Sequence, residues 1–353
     1  MQQLKSTIPC SASYTPQTHT LPPNNMPANV QTMSYVGEVP WHSQGTAVPP
    51  SVTAKEMIKA AGLDWSVETK PVRGSKGTIN SKGEKVFSRY EVVRVPRFNT
   101  AEEEVVLGLV SNRYEPLQNS EAFEFFDPII DHKTATYETA GALGDGERIW
   151  VMAKMPGAMS VVRGDDCHKY LLLSNSHNGR GSVMVKFTAV RVVCQNTLTM
   201  AMKDGQSAFR VRHSARMGEQ LDEVATLIAA ANETYKESLE KFQRLAAVQV
   251  KDKKMLDQYL EVLFPKNDVQ KKNGTHSPKR DHIQELFESA PDLQLPGVKH
   301  TMWAAYNAVT RFEDYRTVKT ECGGQRLDRV WFGASADLKM KALEEAVWIA
   351  TNN

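Results

Sequence analysis

The chain has 353 residues, 41% of them hydrophobic and 24% charged, and a formal net charge of +2. That is the composition of a folded globular protein of about two domains. It excludes a wholly disordered chain, and it excludes overall charge as the reason for binding a polyanion, so any such site must rest on local clusters.

No apolar run approaches the ~20 residues that cross a bilayer, and Met1-Gln-Gln-Leu-Lys-Ser6 lacks the apolar core of a secretory signal. Cys10, Cys167, Cys194 and Cys322 are too scattered for a disulfide framework or a zinc knuckle. The expected setting is a reducing cytosol, with no membrane partner, no metal and no cofactor.

Residues 1–50 read as a mostly disordered tail, because eight prolines sit there among Ser, Thr, Asn and Gln. Trp41, in Tyr35-Val-Gly-Glu-Val-Pro-Trp-His, is expected to pin that tail to the body, and Met33 is an alternative start. Residues 51–213 read as an antiparallel α+β domain. Ser51 or Thr53 caps a short helix, Ala54 to Ala61, that Gly62 closes. Strands are expected over Trp65 to Val72, Lys85 to Val95 and Val105 to Val110, then a helix from Asn119 to Ile130 with Phe123 and Phe126 on one face. Thr134 to Ala140 and Arg148 to Met155 flank Gly144-Asp145-Gly146, and Tyr170 to Leu173 and Val183 to Val193 flank Asn178-Gly179. Both are hairpin signals, and strands joined through tight turns favour an antiparallel sheet. A helix-like stretch, Thr197 to Met202, follows.

Residues 214–353 read as a helical region. Leu221, Val224, Ile228, Tyr235, Leu239, Phe242 and Leu245 keep helical spacing across Ser214 to Val248, which predicts one long helix. Lys251 to Phe264, Asp281 to Ser289, Thr301 to Tyr315 and Ala336 to Ala350 predict further helices, with a basic loop at 266–280. The fold class is therefore α+β, an antiparallel sheet domain followed by helices.

Basic side chains crowd one segment: Lys70, Arg73, Lys76, Lys82, Lys85, Arg89, Arg94 and Arg97, beside Tyr90. Positive charge next to an aromatic ring is what a single strand of nucleic acid needs, phosphate contacts plus a surface on which bases stack. Lys186 and Arg191 on the later hairpin, and Lys271, Lys272, Lys279 and Arg280 in the basic loop, extend the candidate set. The plainer reading is lysines that keep a sheet edge soluble. His177-Asn-Gly-Arg-Gly-Ser182 looks like a phosphate loop only superficially, because a strand rather than a helix follows it. An enzyme reading rests on Cys194 as a thiol, or on Asp165, Asp166 and His168 as metal ligands. Cys194 ends an apolar run, as structural thiols do, and adjacent residues rarely converge on one ion.

Five motifs in order carry a resemblance: Tyr35-x-Gly-x-x-Pro-Trp-His-x-x-Gly-Thr46, Ala61-Gly-Leu-Asp-Trp-x-Val67, Arg191-Val-Val-Cys-x-Asn-Thr-Leu198, Tyr306-Asn-Ala-Val-Thr310 and Arg329-x-Trp-Phe-Gly333. Over about residues 33–350 the chain resembles the phage/plasmid-like family, proteins of bacterial viruses, plasmids and prophages. This implies a mobile-element protein in the bacterial cytoplasm with no established activity, and the family offers no catalytic residues to carry over. The helix leading into Leu63-Asp-Trp65-Ser-Val67 and a basic hairpin is also similar to the opening of ring-forming single-strand annealing proteins of recombination. Together these give the expected function: a non-enzymatic protein binding single-stranded DNA, or RNA, in replication or recombination, with self-association. The alternatives are an interaction protein countering a host defence, or a thiol- or metal-dependent enzyme.

Overall fold

The computed structural model describes residues 30–37, 45–96, 103–127, 130, 135–191, 193, 197–199, 208–228, 231–275, 277–316 and 329–352. Trp41, Arg97 and Cys194 lie outside them, as does the side chain of Lys271.

The main sheet is antiparallel at its centre. β8 (Thr136–Leu143), β9 (Arg148–Val162), β10 (Asp165–Ser176) and β11 (Val183–Arg191) run up and down as consecutive neighbours. The two foreseen turns join them, with Gly144, Gly146 and Gly179 at positive φ. β12 (Thr197–Thr199) and β13 (Phe209–Val211) both pair with β11. On the far side β1 (Val30–Val36) lies antiparallel to β8 and parallel to β2 (Thr46–Val48). Two expectations fail here. Val30–Val36 is a sheet strand rather than tail, because its apolar residues Val30, Met33 and Tyr35, the first set off by an irregularity in register between Val30 and Thr32, bury against Leu143, Trp150 and Leu172. Thr197–Thr199 is a strand rather than the start of a helix, in register with Thr188 to Val190; β-branched threonines favour that extended pairing.

A smaller sheet sits beside the first. β3 (Ser66–Pro71), β6 (Tyr90–Val95) and β7 (Val105–Val110) are antiparallel, in the order β3-β6-β7. Ahead of them, α1 (Ala54–Ala60) begins in a capping box, Thr53 with Glu56. α2 (Asn119–Glu124) is shorter than its periodicity predicts, because the Phe126 N–H turns to the Phe123 carbonyl at 2.8 Å and closes the helix with a tighter turn. The two sheets meet at a close backbone approach. A side chain on Gly108 of β7 would stand 2.6–2.7 Å from the Asn178 backbone carbons of the β10–β11 turn. Only glycine fits there.

The C-terminal half is helical: α3 (Met217–Ile228), α4 (Ala231–Ala247), α5 (Lys253–Leu263), α6 (Asp268–Asn273), α7 (Pro278–Ser289), α8 (Met302–Tyr315) and α9 (Ala334–Asn352). α3 and α4 fill the span expected of one helix. α6 lies inside the expected basic loop, set by Asn267 as cap and by Gly274 at its left-handed end. Tyr235, Phe242 and Leu245 turn one face of α4 inward, and its Tyr235 hydroxyl donates to the Tyr170 carbonyl of β10 at 2.5 Å. Trp303 and Tyr306 of α8 stack on Phe242. One contiguous core thus runs from α1 through the main sheet to α9. The opposite sheet face carries a separate cluster around Trp150 and Leu172, against which Trp331 and Phe332 pack.

Candidate nucleic-acid interface

β3 and β6 pair from Ser66↔Val95 to Pro71↔Tyr90, and the chain between them leaves the sheet as an arm. Its base is closed by Val72 N–H to the Arg89 carbonyl. Its outer part is a small hairpin, β4 (Thr78–Ile79) with β5 (Lys85–Val86). The Asn80 side chain builds the tip, accepting from the N–H of Lys82 and of Glu84 at 2.9 Å each, while Gly83 takes positive φ.

Arg73, Lys76, Lys82, Lys85 and Arg89 are all exposed on this arm, against one acidic residue, Glu84. None of the five has an ion-pair partner among the described residues. Phe87 and Tyr90 meet edge to face at 6.1 Å, half-buried, with the Lys85 ammonium 5.4 Å from the Phe87 ring. Lys70, at the root, is engaged instead. It pairs with Glu104 at 2.5 Å and Glu68 at 3.8 Å, and its bond to Glu104 holds its pKa above the usual lysine value.

The remaining candidates separate from this group. Lys272 and Lys279 are exposed on α6 and α7, in the other half of the chain. Four others are interior, which corrects their expected place on a binding surface. Arg94 is buried, donating to Gln31 Oε1 at 2.8 Å and the Asp145 carbonyl at 3.1 Å, with its guanidinium 5.0 Å from the Trp65 ring. Arg191 is 0% exposed, bound to Asp165 at 2.6 Å and to the Asp292 carboxylate and carbonyl at 2.9 and 2.8 Å. Arg280 is buried between Glu261 and Asp257. Lys186 is buried with its ammonium on the Trp331 carbonyl and 5.2 Å from the Phe332 ring. Burial, reinforced by the nearby Lys339 charge, pushes its pKa down to about 7.

The proposed metal ligands do not converge. Asp165 is inside the core, accepting from Arg191 and from Trp303 Nε1 at 2.7 Å, whereas Asp166 and His168 are part-exposed. Among the described residues no three His, Cys, Asp or Glu side chains are grouped to hold a metal ion, and no helix is long and apolar enough to cross a membrane.

Sequence reasoning missed a buried polar cluster that fixes the arm's root. His177 Nε2 lies 3.0 Å from Asn119 Oδ1, and Asn119 Nδ2 donates to the Leu63 carbonyl at 2.9 Å. The His177 ring meets Trp65, the residue before β3, edge-on at 5.4 Å. Complete burial pushes the His177 pKa down to about 3, so the imidazole is neutral. The one local hint was a run of small polar residues, Ser174 to Asn178, ending an apolar strand.

The profile of a domain of unknown function, DUF932, matches residues 106–331, well over half of the chain. The chain belongs to the DUF932 family. No curated protein and no solved structure matches it. The DUF932 region starts within β7 and ends at Trp331, so it takes in the main sheet from β8 onward and the Arg191 network. The basic arm lies ahead of it.

Proposed function

We propose that this protein binds single-stranded nucleic acid through the arm at residues 72–89. The observation that carries the reading is the set of five unpaired cations beside Phe87 and Tyr90 on one projecting element. Phosphates engage the ammonium and guanidinium groups, and bases stack on the aromatic pair. The resemblance to phage/plasmid-like proteins supplies the setting, replication or recombination of a mobile element in the bacterial cytoplasm. The similarity to annealing proteins adds self-association.

The test is a triple charge reversal, Lys82→Glu, Lys85→Glu and Arg89→Glu, which leaves buried residues untouched. Binding to single- and double-stranded DNA is measured at two or more salt concentrations. Wild-type affinity should fall linearly in log salt, with a slope of about −0.7 per phosphate neutralised on a single strand. The variant should bind far more weakly, and Tyr90→Ala should cost ~1–3 kcal/mol if its ring stacks on a base. A normally folded triple variant that binds as the parent does would refute the reading.

A second reading has its own observation. Ile79 near the arm's tip is 68% exposed, and Val106 and Leu109 on β7 are also exposed. Such residues suit a protein partner, and binding that ignores salt while failing in Ile79→Asp would favour it.

A further inference from the structure

Well away from the arm, the main sheet holds a cavity of about 340 Å³. It forms where β9 loses register with β10: Met155 pairs with Lys169 and Ala158 with His168, so Pro156 and Gly157 bulge outward. Gly157 permits this through a φ of +73°, and such bulges recur beside functional sites. Met155, Pro156, Ala158 and Ala135 give the cavity apolar walls, and Lys154, Thr136 and His168 give it polar groups. The lining therefore contains a cation and no carboxylate.

Lys154 is half-buried and has no hydrogen bond or ion pair among the described residues. Two carboxylates on neighbouring strands act on these polar groups from outside the lining, Glu138 on Lys154 and Asp166 on His168. Glu138 accepts from the Tyr170 hydroxyl at 3.4 Å, and burial holds its pKa above the usual range although the Lys154 charge lowers it. Asp166 acts on His168, but burial and the Lys154 charge outweigh it and keep that imidazole below its ordinary pKa. A neutral His168 is free to donate one hydrogen bond.

We propose that this cavity binds a small organic monoanion, its carboxylate on Lys154 and His168 and its apolar body against Met155 and Pro156. At ~30 Å³ per water-sized group the space holds roughly ten non-hydrogen atoms, the size of an aromatic or branched-chain acid. The site is independent of the arm.

The probe is benzoate, titrated into the full-length protein and followed by ligand-observed NMR, with inorganic phosphate and thymidine monophosphate as competitors. Benzoate should bind one to one, at least tenfold more weakly to Lys154→Met, and not at all to Ala158→Trp, which fills the space. The arm's triple variant should bind it as the wild type does, which separates this result from the nucleic-acid reading. Neither competitor should displace benzoate, because each is a phosphate and thymidine monophosphate is also too large for the space. Displacement by either would show a site that reads phosphate rather than an organic carboxylate and would overturn the proposal. No benzoate binding at millimolar concentration, or equal binding to wild type and both variants, would overturn the proposal. If Lys154→Met fails to fold, Ala158→Trp decides it alone.

Discussion

Arg191→Met should destabilise the protein severely while leaving the proposed nucleic-acid binding intact. The guanidinium spans two carboxylates that belong to different halves of the chain, Asp165 on β10 and Asp292 ahead of α8. Methionine keeps much of the volume but leaves Asp165 with Trp303 Nε1, and Asp292 with Arg311 at 2.9 Å. Removing one partner of a buried ion pair costs about 3–5 kcal/mol, because a charge is left under-compensated away from water. With an unfolding entropy of about 2.1 cal/mol/K per residue, that corresponds to a fall of about 4–7 °C in melting temperature. Adding Asp165→Asn should recover part of the loss, since it removes the stranded charge. Arg191→Lys should not, because an ammonium cannot reach both acids as the planar fork does. The assay is a thermal melt by circular dichroism, paired with a salt titration of single-stranded DNA binding well below the melt. An unchanged melting temperature, with a salt slope shallower by about 0.7, would mean that Arg191 touches phosphate, and the buried network would be refuted.

Two further outcomes follow from the interior. His177 stays neutral in the folded protein down to about pH 3 but titrates near 6.5 when unfolded. The unfolded state therefore binds the extra proton, and stability present above pH 6.5 is lost as pH falls toward 3, by ~1.4 kcal/mol per unit; His177→Gln should flatten that part of a urea-midpoint profile, and an unaltered profile would count against its burial. Gly108→Ala puts a methyl into the Asn178 backbone, so it should cost ~1–3 kcal/mol by overpacking, and a variant melting with the wild type would show that the two sheets do not dock there.

Much of the sheet was legible because its signals are local. Asn178-Gly179 and Gly144-Asp145-Gly146 sit where the chain reverses, Val105–Val110 forms the strand its residues favour, and Thr53 with Glu56 caps α1. Val30–Val36 was hidden by the proline-rich composition around it, although its strand-forming Val30, Thr32, Tyr35 and Val36 were there to read. The buried basic residues were not legible, since the partners that make burial tolerable are remote in sequence. Asp292 lies 101 positions from Arg191, and Trp331 lies 145 from Lys186. One signal was available: Lys186 and Arg191 occur within the apolar run of β11, where a charge on a central strand needs a partner or a reason. The exposure of Arg73 to Arg89 on the arm was easier to expect, because a cluster of like charges without partners can persist only where water solvates it.

The interior arginine nearest the arm still bears on the proposed binding. Arg94 ties β6 to Gln31 of β1 and to the Asp145 carbonyl in the β8–β9 turn, and it covers Trp65. On the other edge, Gln118 clamps β3 by accepting from Val67 N–H at 3.0 Å and donating to the Val67 carbonyl at 2.9 Å. The two strands that carry the arm are thus held from both sides, so on the proposed reading a strand of nucleic acid need order only the long cationic side chains, at ~0.5–1.5 kcal/mol each. Arg94→Ala should release that root and weaken affinity several-fold by adding backbone disorder to the cost of binding. Its signature differs from that of a phosphate contact. The salt slope should stay that of the wild type, because no counterion-releasing charge is lost, whereas Lys82→Glu, Lys85→Glu and Arg89→Glu each lower it. Affinity and slope falling together in Arg94→Ala would place Arg94 on the nucleic acid itself and overturn its assignment as a positioning residue.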